Sequence, residues 1–306
     1  MKRSRHLAAL VLFLSSAYLL LAAEAVTNPY RGVTLITRTE VPPRNATLHV
    51  LEIDLRTPGI AFRLTPPGGS RETVRQRTVD FLEQEHAQLA INAHFFLPYP
   101  SDEPDADLIG FAASEGRVFS RFETPTQSYA LVKAAPALNL GKDGRADIVH
   151  ADPSDPGATL EKIQPWTAVS GSAQIVTDGA RTVPTYADGT GGGALTPGGP
   201  GQYSNQKSWY EAANARTAIG LTRDARTLVI VVVDRGQPGG GMTVTEVADL
   251  MIRDYGVYNA LNLDGGGSAT LAMADPQTGQ PAVINQPSDT PAGRAVGSNL
   301  AIFAPK

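Results

Sequence analysis

Apolar residues along this chain recur mostly in short alternating or continuous runs, and only two stretches show helical spacing. Residues 49–55 alternate and predict a strand, with 60–64 as its partner. Leu89, Ala90 and Ile91 predict a short buried strand that closes on the polar Asn92. Residues 109–119 predict a hairpin turning at Ser114-Glu115-Gly116, and 129–132, 146–149 and 168–175 predict further strands. Residues 216–220 lead into the continuous apolar run 228–233, a pattern suited to a strand buried on both faces. Helical spacing covers 72–86, with Val79, Phe81 and Leu82 apolar, and 243–255, with Val247, Leu250 and Met251 apolar. Thr243 or Thr245 is the candidate N-cap of the second helix. The last apolar segment, 258–261, precedes Asn262-Leu263-Asp264-Gly265-Gly266-Gly267-Ser268. Together these elements predict an α+β fold, a mixed β-sheet core with a few packed helices. They form a single domain over 48–306, preceded by an extension at 26–47.

The first 25 residues have a different character. Lys2, Arg3 and Arg5 precede an apolar run from Leu7 to Ala23, and Ala23-Glu24-Ala25 offers the small-x-small pattern of a cleavage site. This predicts a signal peptide over 1–25 and a secreted or periplasmic protein with no stable membrane insertion once the leader is removed. An uncleaved anchor is the competing reading, because the run approaches a spanning length. Between 188 and 202 the chain is rich in Gly and Pro without apolar periodicity, which predicts a loop or insertion that could serve as a lid.

Composition narrows the chemistry. With 42% hydrophobic and 18% charged residues the chain can build a sizeable core. The net charge of -4 without a basic block argues against a nucleic-acid partner. The chain has no cysteine, so disulfides, thiolate metal sites and a thiol nucleophile are excluded. The five histidines all lie at or before His150 and form no metal-binding pattern, so no metal or other cofactor is expected. The one competing thought is calcium at the loop carrying Asp102, Glu103, Asp105 and Asp107, against the plainer reading of a solvated loop.

Three consecutive glycines after a buried strand mark a place where the backbone must take an unusual conformation or approach another group closely. Asp264 is therefore the first candidate for a catalytic carboxylate, against the alternative that it braces the turn. Glu246 is the candidate second carboxylate, with stabilisation of a helix N-terminus as its rival. Arg216, just ahead of a buried strand, suits a phosphate or a structural ion pair. The N–H groups of Gly265, Gly266 and Gly267 could hold phosphate oxygens. Asn92, Thr217, Ser268 and Arg294 complete the candidate binding set, and His94 is a candidate acid or base against a structural role.

Several blocks carry a family resemblance, in order along the chain. Residues 91–96 (Ile-Asn-Ala-His-Phe-Phe), 216–220 (Arg-Thr-Ala-Ile-Gly), Gly241-Met242-Thr243 through Glu246, 262–268 and 294–299 resemble the corresponding blocks of the phosphodiester glycosidase family. His94 departs from it, standing where the family usually has a small residue. The resemblance implies hydrolysis of the sugar C–O bond of a sugar-1-phosphodiester of the N-acetylglucosamine type, in an envelope or extracellular glycan. Phosphate is a weakly basic leaving group, so such a site needs charge stabilisation more than proton donation. Two other readings compete. A serine hydrolase built on Ser268 lacks the second glycine of a nucleophile elbow and any histidine after it. A non-catalytic glycan- or phosphate-binding envelope protein would hold the same ligand without turnover.

Overall fold

The computed structural model describes residues 23–122, 131–186 and 208–306. Residues 1–22 of the predicted leader, part of the 129–132 strand and the 188–202 segment lie outside the described residues. Among these residues the fold is predominantly β, with two α-helices. An eight-stranded sheet runs in the order Glu24–Tyr30, Val33–Val41, Ala46–Asp54, Thr227–Val233, Arg216–Thr222, Val257–Asn262, Ala173–Thr177 and Ala180–Arg181. Every pairing in it is antiparallel. The segment read as an N-terminal extension is thus built into the main sheet. The β-sheet core expected from the sequence is present, and its strands pair antiparallel both with near neighbours in the chain and with distant segments.

The continuous apolar run is explained by its surroundings. Leu228, Ile230 and Val232 pack into one core, while Val229, Val231 and Val233 pack into another on the opposite face. That second face is covered by the helix Val244–Tyr255, which buries Val244, Val247, Ala248, Leu250 and Met251. Thr243 is its N-cap, and Gly256 ends it in the left-handed region at φ 62°. The other helix is shorter than its sequence pattern, running Thr78–Glu85. Its expected first turn is extended instead: Thr73 and Val74 pair with Ala106 and Asp105. Sheet pairing overrides the weak helical preference of those β-branched residues.

A five-stranded sheet places Pro281–Val283, Leu271–Ala274, Leu89–Asn92, Asn299–Phe303 and Ala61–Leu64 side by side. A second five-stranded sheet holds the hairpin Ala112–Ser114/Arg117–Ser120, turned at Glu115 and Gly116 with φ of 50° and 83°. The predicted strand over 168–175 is in fact two. Thr167–Ser170 belongs to the second five-stranded sheet and Ala173–Thr177 to the eight-stranded one, with Gly171 between them. A Cβ on Gly171 would stand 2.1 Å from the Asn262 carbonyl oxygen, so only glycine allows the chain to change sheets against that strand.

Candidate active site

The strand Val257–Asn262 delivers Asp264 to a cavity of about 360 Å³. Two neighbouring segments clamp its main chain. The Asp264 amide donates to the Ala93 carbonyl at 3.0 Å, and Asn92 Nδ2 donates to the Asp264 carbonyl at 2.6 Å. Asn92 Oδ1 accepts from Thr217 Oγ1 at 2.8 Å and from the Thr270 amide at 3.1 Å. Asn92 and Thr217, expected to bind substrate, are fully buried and knot three strands together beneath the carboxylate. Strands from two sheets thereby fix Asp264 to a rigid base.

Asp264 is 6% exposed. Burial pushes its pKa up from 3.8 to about 6, against the lowering effects of the Ser268 hydroxyl, Arg294 and the Gly265 amide. The Gly265 N–H donates to Oδ1 at 2.9 Å. Gly266, at φ 59°, donates its N–H to the Ala215 carbonyl at 2.9 Å. Two of the three glycine amides expected to cradle phosphate are therefore engaged by the protein. Arg294 reaches Ser268 Oγ twice, through Nε at 3.0 Å and Nη2 at 2.6 Å. Ser268 in turn hydrogen-bonds Asp264, so the guanidinium acts on the carboxylate through one hydroxyl. The Arg294 guanidinium also stacks on Tyr99 at 4.5 Å and pairs with Asp289 at 3.0 Å.

Of the expected residues, Asp264, Gly265, Gly266, Gly267 and Arg294 line the cavity, and Ser268 lies just beneath. The others are not brought to it. Glu246 completes a capping box, its Oε2 accepting the Thr243 amide at 2.8 Å, and it also pairs with Arg44. His94 is fully buried, with Nδ1 2.9 Å from Ser298 Oγ. Its Nε2 meets the Ser170 amide at 3.0 Å and the Phe111 carbonyl at 3.1 Å. Burial pushes its pKa down to about 4, outweighing the Phe111 carbonyl, so the ring is neutral at neutral pH. Its geometry is that of a satisfied core histidine.

Arg216 is 1% exposed and forms no ion pair among the described residues. It donates to the carbonyls of Met242 at 3.0 Å and Trp209 at 2.8 Å, and to that of Ala212, and it stacks on Trp209 at 4.6 Å. Burial lowers its pKa to about 9, which leaves it protonated at neutral pH. It shapes the wall that carries Trp209 and Asn214 and does not itself line the cavity. Its Nη1 and the Trp209 Nε1 are buried without an acceptor, a local desolvation burden beside the site.

The cavity also contains residues outside the expected site set. Arg235, exposed and without an ion pair among the described residues, follows the strand Thr227–Val233. Asp289 and Ser288 come from the loop after Pro281–Val283, and Phe95, Phe96, Leu97, Tyr99 and Ile109 form an apolar wall. Arg235 could have been found from its position just past the central strand Thr227–Val233, which Arg216–Thr222 separates from the strand leading to Asp264. The loop of Asp289 offers no periodic signal. A larger cleft of about 550 Å³, lined in part by Arg31, Glu52, Asp54 and Lys306, contains none of these strand-end residues. No group of three or more His, Cys, Asp or Glu among the described residues could hold a metal ion. In the acidic segment, which the structure ends as the strand Asp105–Leu108, Glu103 and Asp107 pair with Arg71, and Asp105 accepts from Ser70.

Known proteins share parts of this sequence and this fold. A bovine N-acetylglucosamine-1-phosphodiester alpha-N-acetylglucosaminidase is 42% identical over 60 residues, which is 20% of this chain and 11% of the bovine protein. The match thus spans a small part of that relative's length. The zebrafish N-acetylglucosamine-1-phosphodiester alpha-N-acetylglucosaminidase catalytic domain superposes with a TM-score of 0.59 at 19% identity, covering 94% of this chain and 85% of that one. A hypothetical protein from Synechocystis gives a TM-score of 0.60 at 15% identity, covering 92% of this chain and 64% of the other. At such identities the two structures show a shared fold. The family model for phosphodiester glycosidases matches residues 85–303, which include the strand to Asp264, the glycine turn and Arg294, and the chain belongs to the phosphodiester glycosidase family.

Proposed function

We propose that this protein is an exported glycosidase that hydrolyses the sugar C–O bond of a sugar-1-phosphodiester of the N-acetylglucosamine type. The observation that carries the reading is one cavity that joins a buried, elevated-pKa carboxylate, Asp264, to two arginines, Arg235 and Arg294. The arginines suit the phosphate, whose negative charge grows as the C–O bond breaks. Arg235 is free to meet it directly, while Arg294 acts from the Ser268 and Asp289 side. Asp264 acts at the anomeric carbon, where positive charge develops. The aromatic and aliphatic wall suits the apolar face of a sugar ring and its N-acetyl methyl group. The names of the bovine and zebrafish relatives support the choice of sugar.

Export is supported by the basic-then-apolar leader ending in Ala23-Glu24-Ala25. Among the described residues no helix is long and apolar enough to cross a membrane. An envelope or extracellular glycan is accordingly the proposed source of substrate.

The test is hydrolysis of an N-acetylglucosamine-1-phosphodiester in oxygen-18 water, beside Asp264→Asn. Label in the released sugar, with turnover lost in the variant, is the expected result. Label in the phosphate would mean P–O cleavage and end the glycosidase reading. Ligand that binds and is never converted would make the protein a binding module.

A further inference from the structure

We infer that Asp289 is the second catalytic carboxylate of this cavity, the base that deprotonates the water attacking the anomeric carbon. The inference rests on the glycosidase reading above and assigns that reaction its missing partner. Glycoside hydrolysis ordinarily uses two carboxyl groups. Glu246, which the sequence offered for the post, is held by the helix cap and by Arg44.

The geometry at Asp289 is of another kind. Its side chain is 42% exposed and lines the same cavity as the buried Asp264, so water reaches it. Its carboxylate occupies the space that a side chain at 267 would take: an ideal Cβ on Gly267 would lie 2.0 Å from Oδ2 and 2.2 Å from Oδ1. Gly267 is not among the positive-φ glycines, so its lack of a side chain serves space and not backbone conformation. The third glycine of the motif is a slot for this carboxylate.

One guanidinium holds both acids. Arg294 Nη1 donates to Asp289 Oδ2 at 3.0 Å, while Nε and Nη2 hold Ser268 Oγ, which bonds Asp264. The two surroundings differ: Asp264 is buried, while Asp289 is exposed to water and paired with arginine. The negative charge of Asp289 adds to the burial that raises the Asp264 pKa to about 6, which still leaves that carboxyl ionised at neutral pH.

In the reaction, Asp289 takes a proton from water as the water oxygen bonds to the anomeric carbon. The bond from that carbon to the phosphate oxygen breaks, and its electron pair leaves with the phosphate monoester toward Arg235. Asp264 faces the positive charge on the carbon, and Asp289 returns its proton to solvent.

The test uses the full chain and an N-acetylglucosamine-1-phosphodiester. Asp289→Asn keeps an acceptor for Arg294 but cannot take a proton. It should lower kcat by at least about 100-fold, with KM changed by less than about 5-fold. Azide should restore turnover to Asp289→Ala and yield a glycosyl azide, since the anion needs no base; a residue that only orients Arg294 gives no such rescue. Gly267→Ala should cost as much as Asp289→Ala alone and nothing further in the Asp289→Ala background. Wild-type turnover with Asp289→Asn within about 5-fold of it, or no azide product from Asp289→Ala, would overturn the assignment and leave the glycosidase reading standing. No sugar released by the wild type would overturn both.

Discussion

Asp264→Asn should abolish activity and make the protein more stable at alkaline pH. Asp264 has its folded pKa raised by burial from 3.8 to about 6. A carboxyl raised in this way binds its proton more tightly in the folded state than in the unfolded one. Its contribution to stability is therefore full below about pH 4, declines as the pH rises through about 6, and is absent above that. The interval from 3.8 to about 6 corresponds to about 3 kcal/mol of destabilisation by the ionised form at pH 8. Asparagine keeps the shape and an oxygen for the Gly265 amide, and it carries no charge. The variant should gain up to about 3 kcal/mol over wild type at pH 8, or roughly 5 °C in Tm for a chain of this size, and little at pH 4. Urea melts of both proteins across that range measure the gain directly. An equal stability difference at pH 4 and pH 8 would refute the reasoning, because it would show that the folded protein does not raise this pKa.

Substitutions at three other positions probe the remaining architecture. Gly171→Ala drives a Cβ to 2.1 Å from the Asn262 carbonyl, and overpacking there should destabilise by about 1–3 kcal/mol in a urea melt. Glu246→Gln retains the capping box and should leave kcat/KM within about 2-fold, while Glu246→Ala should lose about 1 kcal/mol of stability with similar activity; a 100-fold loss of kcat in Glu246→Gln would restore it to the chemistry. Arg235→Ala should raise KM for a phosphodiester at least about 10-fold while shifting Tm by less than about 2 °C, since the side chain is exposed and carries no structural ion pair among the described residues; an unchanged KM would remove it from phosphate binding.

Much of the local structure was legible because it depends on short-range pattern. The continuous apolar run over 228–233, the hairpin turn at Glu115-Gly116 and the Thr243 cap all have local causes, and the structure contains each of them. The strand and helix near 72–78 were misjudged because the partner of Thr73–Val74 lies some 30 residues further on, at Asp105–Ala106. The 168–175 segment hid a change of sheet for a similar reason: Gly171 is required by the Asn262 carbonyl, 91 residues away. In the site, the chemical type of each residue was readable but its orientation was not. Arg216, His94 and Asn92 are polar groups that suit ligands, and all three are buried in hydrogen bonds to protein groups.

By itself the sequence determined the segments that must be buried, the breaks between them, and the strand-to-glycine passage that presents Asp264. It did so because burial and turn geometry act within a few residues of one another. Only the tertiary structure decided which charged groups share the cavity. Asp289 and Arg235 come from loops with no periodicity and are joined to Asp264 solely by the packing of distant strands. It also decided the protonation of Asp264, since a carboxyl is raised by the water it loses, and that loss is settled by the whole fold around it.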